Sequence, residues 1–462
     1  MAFPTILIDA ATGSDSAASG AGPTTALTGT NASFAAAVVT LDGSPDLSGV
    51  ATDGSACLYL VTSSGVKFFK ITAADNGADT VTVTPNPAGT STGRTWAIGG
   101  KRASIGSSTS RVLFENGGST GDAKAGWVVE MQSGHTESIS AVLNIRIAGS
   151  TTDGPFTLRG TGATRPIITY TGSGLGIDYV DTVTACNVAE YFELKNTGTG
   201  SYGFVVRDGL FVARRLKIWG TTNWSVNALY WQAIEGGTVE LCEITNSTGT
   251  ALALVAEVQT TNVIGNWIHD NTSHGMSLDG GPFIYGNIFA DNGGDGISSG
   301  ENADGYRAAQ IINNVFYSNA SDGIEFTSAG TNIPNTPIIN NLFIDNGGYG
   351  INCSSATVTA NYLLAQGARW LNNGFNNNTS GDCNRSGVLV DSVTSVTVDN
   401  GSFGTGGDFT IGSTSTAKAV GFPAINIATG TRSYVDIGCA QRQEAGGAAG
   451  MLYIGGMSGG FE

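Results

Sequence analysis

One short pattern recurs four times between residues 266 and 351, and it restricts the chain to one kind of architecture. It reads Asn266-Trp267-Ile268, Asn287-Ile288-Phe289, Asn314-Val315-Phe316 and Asn341-Leu342-Phe343. A second asparagine stands five positions after each leading one, at Asn271, Asn292, Asn319 and Asn346. Farther on, a glycine precedes an apolar residue, at Gly275-Met276, Gly296-Ile297, Gly323-Ile324 and Gly350-Ile351. The spacing inside the motif is fixed, whereas the leading asparagines are 21, 27 and 27 residues apart. Rigid units joined by segments of unequal length are what stacked coils with loops of different size produce.

A coil of this kind buries its inward side chains only against the coils above and below it. The pattern therefore predicts an all-β parallel β-helix, in which Trp267, Ile288, Val315 and Leu342, or the residues that follow them, stack as an interior ladder. The asparagines are expected at bends, where Asn tolerates a left-handed backbone and its amide bonds to the copy one coil away. The glycines are expected to supply positive φ just before the next strand resumes. The same rhythm, with fewer identities, runs upstream through 242–252, 216–226 and 192–204. Downstream, Asn361-Tyr362-Leu363 is expected to open another coil that dissolves into the Asn-rich run 372–378.

Residues 145–168, IRIAGSTTDGPFTLRGTGATRPII, resemble the opening coils of right-handed β-helix proteins of the pectate-lyase-like superfamily. DFTIGSTSTAKAVGFP followed by YVDIGCAQ, within 408–441, is similar to the closing segment of bacterial and phage-borne β-helix repeat proteins. The resemblance implies a right-handed, single-stranded solenoid. It is specific for fold and not for activity, because this superfamily hosts lyases, hydrolases, adhesins and virion proteins alike.

The expected organisation is a β module or cap over 1–125, the solenoid over 126–400, and a C-terminal cap with a Gly-rich tail over 401–462. Hairpin signals at 58–72, 80–85 and 95–100 alternate apolar and polar residues, as a half-buried β module requires. The tail carries one apolar knot, Met451, Leu452, Tyr453 and Ile454, a candidate docking point on a partner surface. Glycine fills 68 of 462 positions, and no long stretch has helical periodicity with caps.

There are 37 acidic against 21 basic residues, a net charge of -16, without any run of Lys or Arg. That field disfavours nucleic acid as a partner. No stretch is long and apolar enough to span a membrane. The start MAFPTILIDAATGSD lacks a positive region ahead of its apolar run, so no secretory signal is read there. The six cysteines, Cys57, Cys186, Cys242, Cys353, Cys383 and Cys439, lack metal-ligand or framework spacing and read as reduced, mostly buried thiols.

Several chemical motifs fail on context. The glycines of 198–203 fit a dinucleotide fingerprint but lead into the strand-like FVVRDGLFV, where a pyrophosphate site needs a helix N-terminus. Gly456-Met457-Ser458-Gly459-Gly460 fits a nucleophile elbow with no helix to follow. Residues 291–296 begin like a calcium loop, yet glycine takes the third ligand position, so a structural corner is expected. His135, His269 and His274 are expected at the surface, with His269 and Asp270 pointing to opposite faces of a strand. No catalytic, cofactor or metal site is assigned. For a carbohydrate-cleaving alternative the candidates are Asp279, Asp295, Glu301, Asp304, Asp322 and Glu325, with Arg307 and Arg369 as bases. Asp295 and Asp322 hold the same register position in successive coils, which His274 and Tyr349 hold in the flanking ones.

The segment ILIDAATGSDSAASGAGPTTALTG and the DIGCAQRQE ending look like β-helix proteins carried by tailed phages. That resemblance implies a non-enzymatic capsid decoration or cement protein. It would be a homotrimer, made in the host cytoplasm and seated on the lattice of major capsid protein. Its candidate shell contacts are the N-terminal module and Met451 to Ile454. The alternatives are a tailspike that recognises or cleaves host surface polysaccharide, and a secreted polysaccharide lyase or adhesin.

Overall fold

The computed structural model describes residues 5–10, 27–50, 52, 56–62, 65–84, 86–87, 89–98, 101–107, 114–116, 119–120, 126–147, 154–180, 187–207, 209–232, 236–255, 261–278, 281–299, 309–326, 337–353, 370–371, 373–385, 393–395, 397, 404, 408–409, 423–425 and 432–434. These form strands and turns, with no helix among them. Met451, Leu452, Tyr453 and Ile454 lie outside the described residues, as do Asn361-Tyr362-Leu363 and the elbow-like Gly456 to Gly460. The chain forms two compact units, Met1–Gly198 with Arg207–Val212, and Thr199–Val206 with Ala213–Glu462.

The first unit contains a closed antiparallel barrel of six strands, Leu27–Ala35, Val38–Thr40, Cys57–Thr62, Gly65–Asp75, Thr80–Thr84 and Thr90–Ile98. The alternation that marks these segments sends Val39, Leu58, Leu60, Ile71, Val81 and Trp96 inward, all fully buried. Closure gives every strand two neighbours and leaves no free edge. Trp96 buries its indole without stranding its N–H, because Nε1 donates to Asp42 Oδ1 at 2.5 Å. The strand Thr5–Ile8, ahead of the barrel, pairs in parallel with Val128–Met131, which in turn pairs with Phe156–Gly160. A parallel sheet is thus already begun before residue 126.

The second unit is a parallel solenoid with three strands per coil. One coil contributes Thr261–Ile264, Trp267–His269 and Met276–Ser277, and the next contributes Phe283–Tyr285, Ile288–Ala290 and Ile297–Ser299. Of the two alternatives for the interior ladder, the residues that follow Trp267, Ile288, Val315 and Leu342 form it. Phe289, Phe316, Phe343 and Phe375 stack at 5.1, 4.8 and 5.0 Å with their planes within 11°. These spacings match the rise of about 4.8 Å between hydrogen-bonded strands, so the rings stack wherever the register repeats. Trp267, Ile288, Val315 and Leu342 face the other way. They pack with Ala290, Ile344, Tyr317 and Phe409, so Phe409 covers an apolar stripe on the outer face of the middle sheet.

The asparagines form two buried ladders. Along the first, each Nδ2 donates to the next Oδ1: Asn266 to Asn287 at 2.9 Å, Asn287 to Asn314 at 3.0 Å, Asn314 to Asn341 at 2.9 Å and Asn341 to Asn373 at 3.1 Å. The second joins Asn271, Asn292, Asn319, Asn346 and Asn378 in the same way at 2.8 to 2.9 Å. The run 372–378 therefore continues the repeat as its next rung. Upstream, Cys242 and Ser247 take the two ladder positions and donate their backbone N–H to Asn266 and Asn271, which accounts for the fading identities there.

Two backbone expectations need correction. The ladder asparagines are not themselves the left-handed residues. Positive φ falls one position earlier, at Gly265, Gly286, Asn313 and Asn340 before the first ladder, and at Asp270, Asp291, Ser318 and Asp345 before the second. The corner is turned by that residue, which frees the next one to aim its amide inward. Nor do Gly275, Gly296 and Gly323 have positive φ. A Cβ at Gly296 would lie 2.6 Å from Phe316 Cδ1 and 2.7 Å from the Gly323 carbonyl oxygen. Glycine recurs there because the Phe ladder and the next coil leave no room for a side chain. Gly350 supplies the carbonyl that a Cβ at Gly323 would meet at 2.5 Å.

Candidate functional site

Two columns of side chains run along the outer face of the third sheet. The first occupies the corner just before a recurring glycine or alanine, and reads Tyr202, Asn227, Thr250, His274, Asp295, Asp322 and Tyr349. Its register follows from the Tyr202 pairing with Asn227, from Asn227 Nδ2 donating to the Thr250 carbonyl at 2.6 Å, and from the coil-to-coil backbone bonds between Ala251 and His274, Gly275 and Asp295, Gly296 and Asp322, and Gly323 and Tyr349. The second column is mid-strand: Tyr230, Ala253, Ser277, Ser298, Glu325 and Asn352. Strand alternation puts its neighbours Leu229, Leu252, Met276, Ile297, Ile324 and Ile351 in the core, all fully buried, and turns the second column outward.

Where the columns carry acid they converge. Oxygen atoms of Asp295, Asp322 and Glu325 lie within 4.8 Å of one another. Asp295 and Asp322 are buried, at 1 % and 3 % exposure, while Glu325 is half-buried. The stacking expected of Asp295 and Asp322 is present, since Asp322 N–H donates to Asp295 Oδ1 at 2.9 Å. Asp322 repeats the arrangement one coil on, accepting Tyr349 N–H at Oδ1 and Asn352 Nδ2 at Oδ2, at 2.5 and 2.7 Å. His274 Nδ1 sits 2.9 Å from Asp295 Oδ2 and 3.0 Å from the Asp295 backbone nitrogen. Protonated, the ring donates to the carboxylate; neutral, it accepts from the backbone.

These contacts separate the protonation states of three neighbouring carboxyls. Burial, the largest single effect, opposes ionisation of Asp295, but hydrogen bonds from His274, the Asp322 N–H and Ser321 together with the His274 charge outweigh it and hold Asp295 below the usual range. Its partner His274 is raised by the bond between them. Asp322 is raised, chiefly by burial and also by the charge of Asp295. Glu325 is pushed up to about 7, first by burial, then by the charge of Asp295, a hydrogen bond shared with it, and the charge of Asp322. Below about pH 7 the site thus holds an ionised Asp295 beside a Glu325 carboxyl that still carries its proton in most molecules. The oxygen set is of the type hard cations use, but both Asp322 oxygens are committed to Tyr349 and Asn352, which leaves few lone pairs for an ion.

The histidine expectations are overturned. His135 and His269 are buried, at 4 % and 8 % exposure. His135 Nε2 lies 2.8 Å from Glu137, whose carboxylate also accepts the N–H groups of Ile105 and Gly106. His269 Nδ1 does meet Asp270 Oδ2, at 2.7 Å. Asp270 has φ of 52°, so it has left the strand, and the alternation that would separate the two side chains no longer applies. Trp267 stacks on His269 at 3.8 Å, and Glu243 lies between His269 and Lys217.

Of the candidates for carbohydrate chemistry, the structure brings together Asp295, Asp322 and Glu325. Asp279, Glu301, Asp304, Arg307 and Arg369 lie outside the described residues. His274 belongs to the cluster, against the expectation of a free surface residue; its shared register position with Asp295 and Asp322 is the sequence signal that points there. The glycines of 198–203 open the strand Tyr202–Val206, in keeping with a turn.

Comparison with known proteins agrees with the fold. Residues 204–363 match the family described as right handed beta helix region. Among solved structures the chain is similar to pectate lyase Pel9A, at 15% identity over 70% of this chain and 89% of that one, with a TM-score of 0.47. It is also similar to the periplasmic alginate epimerase AlgG, at 14% identity over 58% and 76% with a TM-score of 0.32. The catalytic unit of a GH87 alpha-1,3-glucanase from Streptomyces thermodiastaticus strain HF3-3 aligns at 13% identity over 79% and 86%, with a TM-score of 0.36. At these identities the likeness extends to the fold alone. No curated protein matches the sequence.

Proposed function

We propose that this chain is a glycan-cleaving β-helix protein whose proton donor is Glu325. The observation that carries the reading is geometric: oxygen atoms of Glu325, Asp295 and Asp322 converge within 4.8 Å, with Glu325 half-buried on the outward mid-strand column, where burial and the neighbouring acids push its carboxyl up to about 7. Hydrolysis of a glycosidic bond needs a carboxylic acid to protonate the leaving oxygen and a second carboxylate close by. Asp295, held ionised beside His274 and oriented by the Asp322 N–H, is that second group. The close approach of the carboxyls fits the shorter of the two hydrolytic geometries, about 5 Å, which retains anomeric configuration. The test is release of reducing ends from a polysaccharide panel by the wild-type chain and by Glu325→Gln. Loss of activity in the variant supports the reading. An unsaturated product, seen by ultraviolet absorbance, would instead indicate a lyase.

A second reading is a non-enzymatic decoration protein on a phage capsid, homotrimeric and bound to the lattice of major capsid protein. Its support is that Asp295 and Asp322 each cap a backbone N–H of the following coil, which makes them rungs of the stack. Electron cryomicroscopy of particles carrying the chain tests it: density over the head supports decoration, and density confined to the tail or absent from virions rejects it.

A further inference from the structure

The acidic cluster does not stand alone on its face. At one end of the same two columns are Tyr202 and Tyr230, both half-buried, with ring centroids 5.2 Å apart and planes at 68°. Between Tyr230 and Glu325 the mid-strand column offers only Ala253, Ser277 and Ser298. Alongside them the corner column offers Asn227, Thr250 and His274. Tyr349 lies one coil beyond Asp322 and is half-buried as well. The face is therefore a floor of small and polar side chains bounded by aromatic rings, with the acids near one end.

We infer that this face seats a neutral glycan lengthwise, its far sugar stacked on the Tyr202–Tyr230 pair and its scissile linkage at Glu325. The inference rests on the glycan-cleaving reading and adds to it the ligand's length, direction and charge. Four coil steps separate Tyr230 from Glu325, or roughly 19 Å at the strand spacing of about 4.8 Å. That spacing is close to the advance of a polysaccharide per sugar ring, so successive sugars meet successive coils. Small side chains let the chain lie flat, the half-buried Thr250 and Ser277 hydroxyls meet those of the sugars, and an aromatic face accepts the apolar side of a sugar ring. The charge follows from the residues named: neither column contains Lys or Arg, and the cluster at Glu325 is acidic. A uronate chain would bring its carboxylates against Asp295, whose one cationic neighbour in the two columns, His274, is already paired with it.

The experiment measures binding and turnover of cello-, laminari- and malto-oligosaccharides from di- to hexasaccharide, with oligogalacturonates as the charged comparison. It uses the full-length wild type, Tyr230→Ala, Tyr202→Ala, Tyr230→Phe and the inactive Glu325→Gln, with circular dichroism checking that each variant keeps its fold. A neutral series should bind more tightly as it lengthens. Tyr230→Ala should weaken the longest members about tenfold, the equivalent of one aromatic contact, leave the shortest unchanged, and be rescued by Tyr230→Phe. Preferred binding of oligogalacturonate, equal effects on short and long chains, or no binding by any series overturns the inference. Length-dependent binding without cleavage rejects the hydrolase and the scissile position at Glu325, and leaves the lengthwise seating of a neutral glycan standing. Cleavage that ignores Tyr230 does the reverse.

Discussion

Asn314 Nδ2 donates to Asn341 Oδ1 at 2.9 Å, in a position with no access to water. The same Asn314 amide gives a hydrogen to the Ile284 carbonyl at 3.1 Å, and its Oδ1 accepts both the backbone N–H and the Nδ2 of Asn287. One side chain therefore satisfies groups on the coils before and after its own.

Replacing it should be strongly destabilising. Asn314→Ala strands two donors of Asn287 and a carbonyl of Ile284 in the core. Each buried unsatisfied group costs about 1–3 kcal/mol, so a loss of about 3 kcal/mol or more is expected. Urea unfolding of the purified variant measures it. A loss below about 1 kcal/mol would mean that the ladder is not stabilising the stack.

Gly323→Ala tests the close approach that replaced the positive-φ explanation. The new Cβ would lie 2.6 Å from Phe343 Cδ1 and 2.5 Å from the Gly350 carbonyl oxygen. Overpacking of this kind costs about 1–3 kcal/mol. The control is Gly49→Ala, where a Cβ would have no atom within 4 Å and φ is ordinary. Thermal unfolding should separate the two, with Gly49→Ala near neutral.

Glu325 predicts a particular dependence on pH. Its folded value, about 7, exceeds the unfolded value of 4.5, so the folded chain holds the proton more tightly. Below the unfolded value both states are protonated and nothing is lost. As pH rises toward 7 the unfolded chain ionises first, and folded stability falls. His274, also raised, loses its contribution in the same direction. Glu325→Gln should therefore be more stable than wild type at pH 8 and no more stable at pH 4. On the proposed glycan-cleaving role, wild-type cleavage should fall above pH 7 as Glu325 ionises. Identical stability profiles for the two proteins would contradict the assignment.

Phe409 predicts a different kind of loss. It lies edge-on to Trp267 and Tyr317, at 6.5 and 5.8 Å between centroids, over the column Ile288, Val315 and Leu342. Phe409→Ala should uncover that stripe and lower stability by about 3 kcal/mol, near the low end for a buried ring. Binding of an apolar dye by the folded variant, absent in wild type, is the accompanying sign.

The motif from Asn266 to Ile351 was enough to reveal a stacked parallel β-helix and to identify which asparagines are equivalent. That information is local, because a repeat imposes the same environment on each copy and so selects the same residue. The rung at Asn373 and Asn378 was harder to see, since 32 residues separate Asn341 from Asn373 and Asn361 offered a nearer match. Asp295 and Asp322 were legible as neighbours from their shared position. Glu325 could be named as a candidate, but its retained proton could not.

What the sequence determined by itself is the solenoid, its repeat unit and the stacking of equivalent positions, all of which follow from periodicity. Only the tertiary structure decided which backbone position turns each corner, why glycine recurs beside the Phe ladder, and that His269 reaches Asp270. It also decided that Glu325 lies against Asp295 and Asp322, and that Phe409 closes over the middle sheet. Each of these depends on local backbone geometry or on contacts between coils, neither of which the period alone specifies. Periodicity specifies which residues are equivalent, and packing specifies what each one touches.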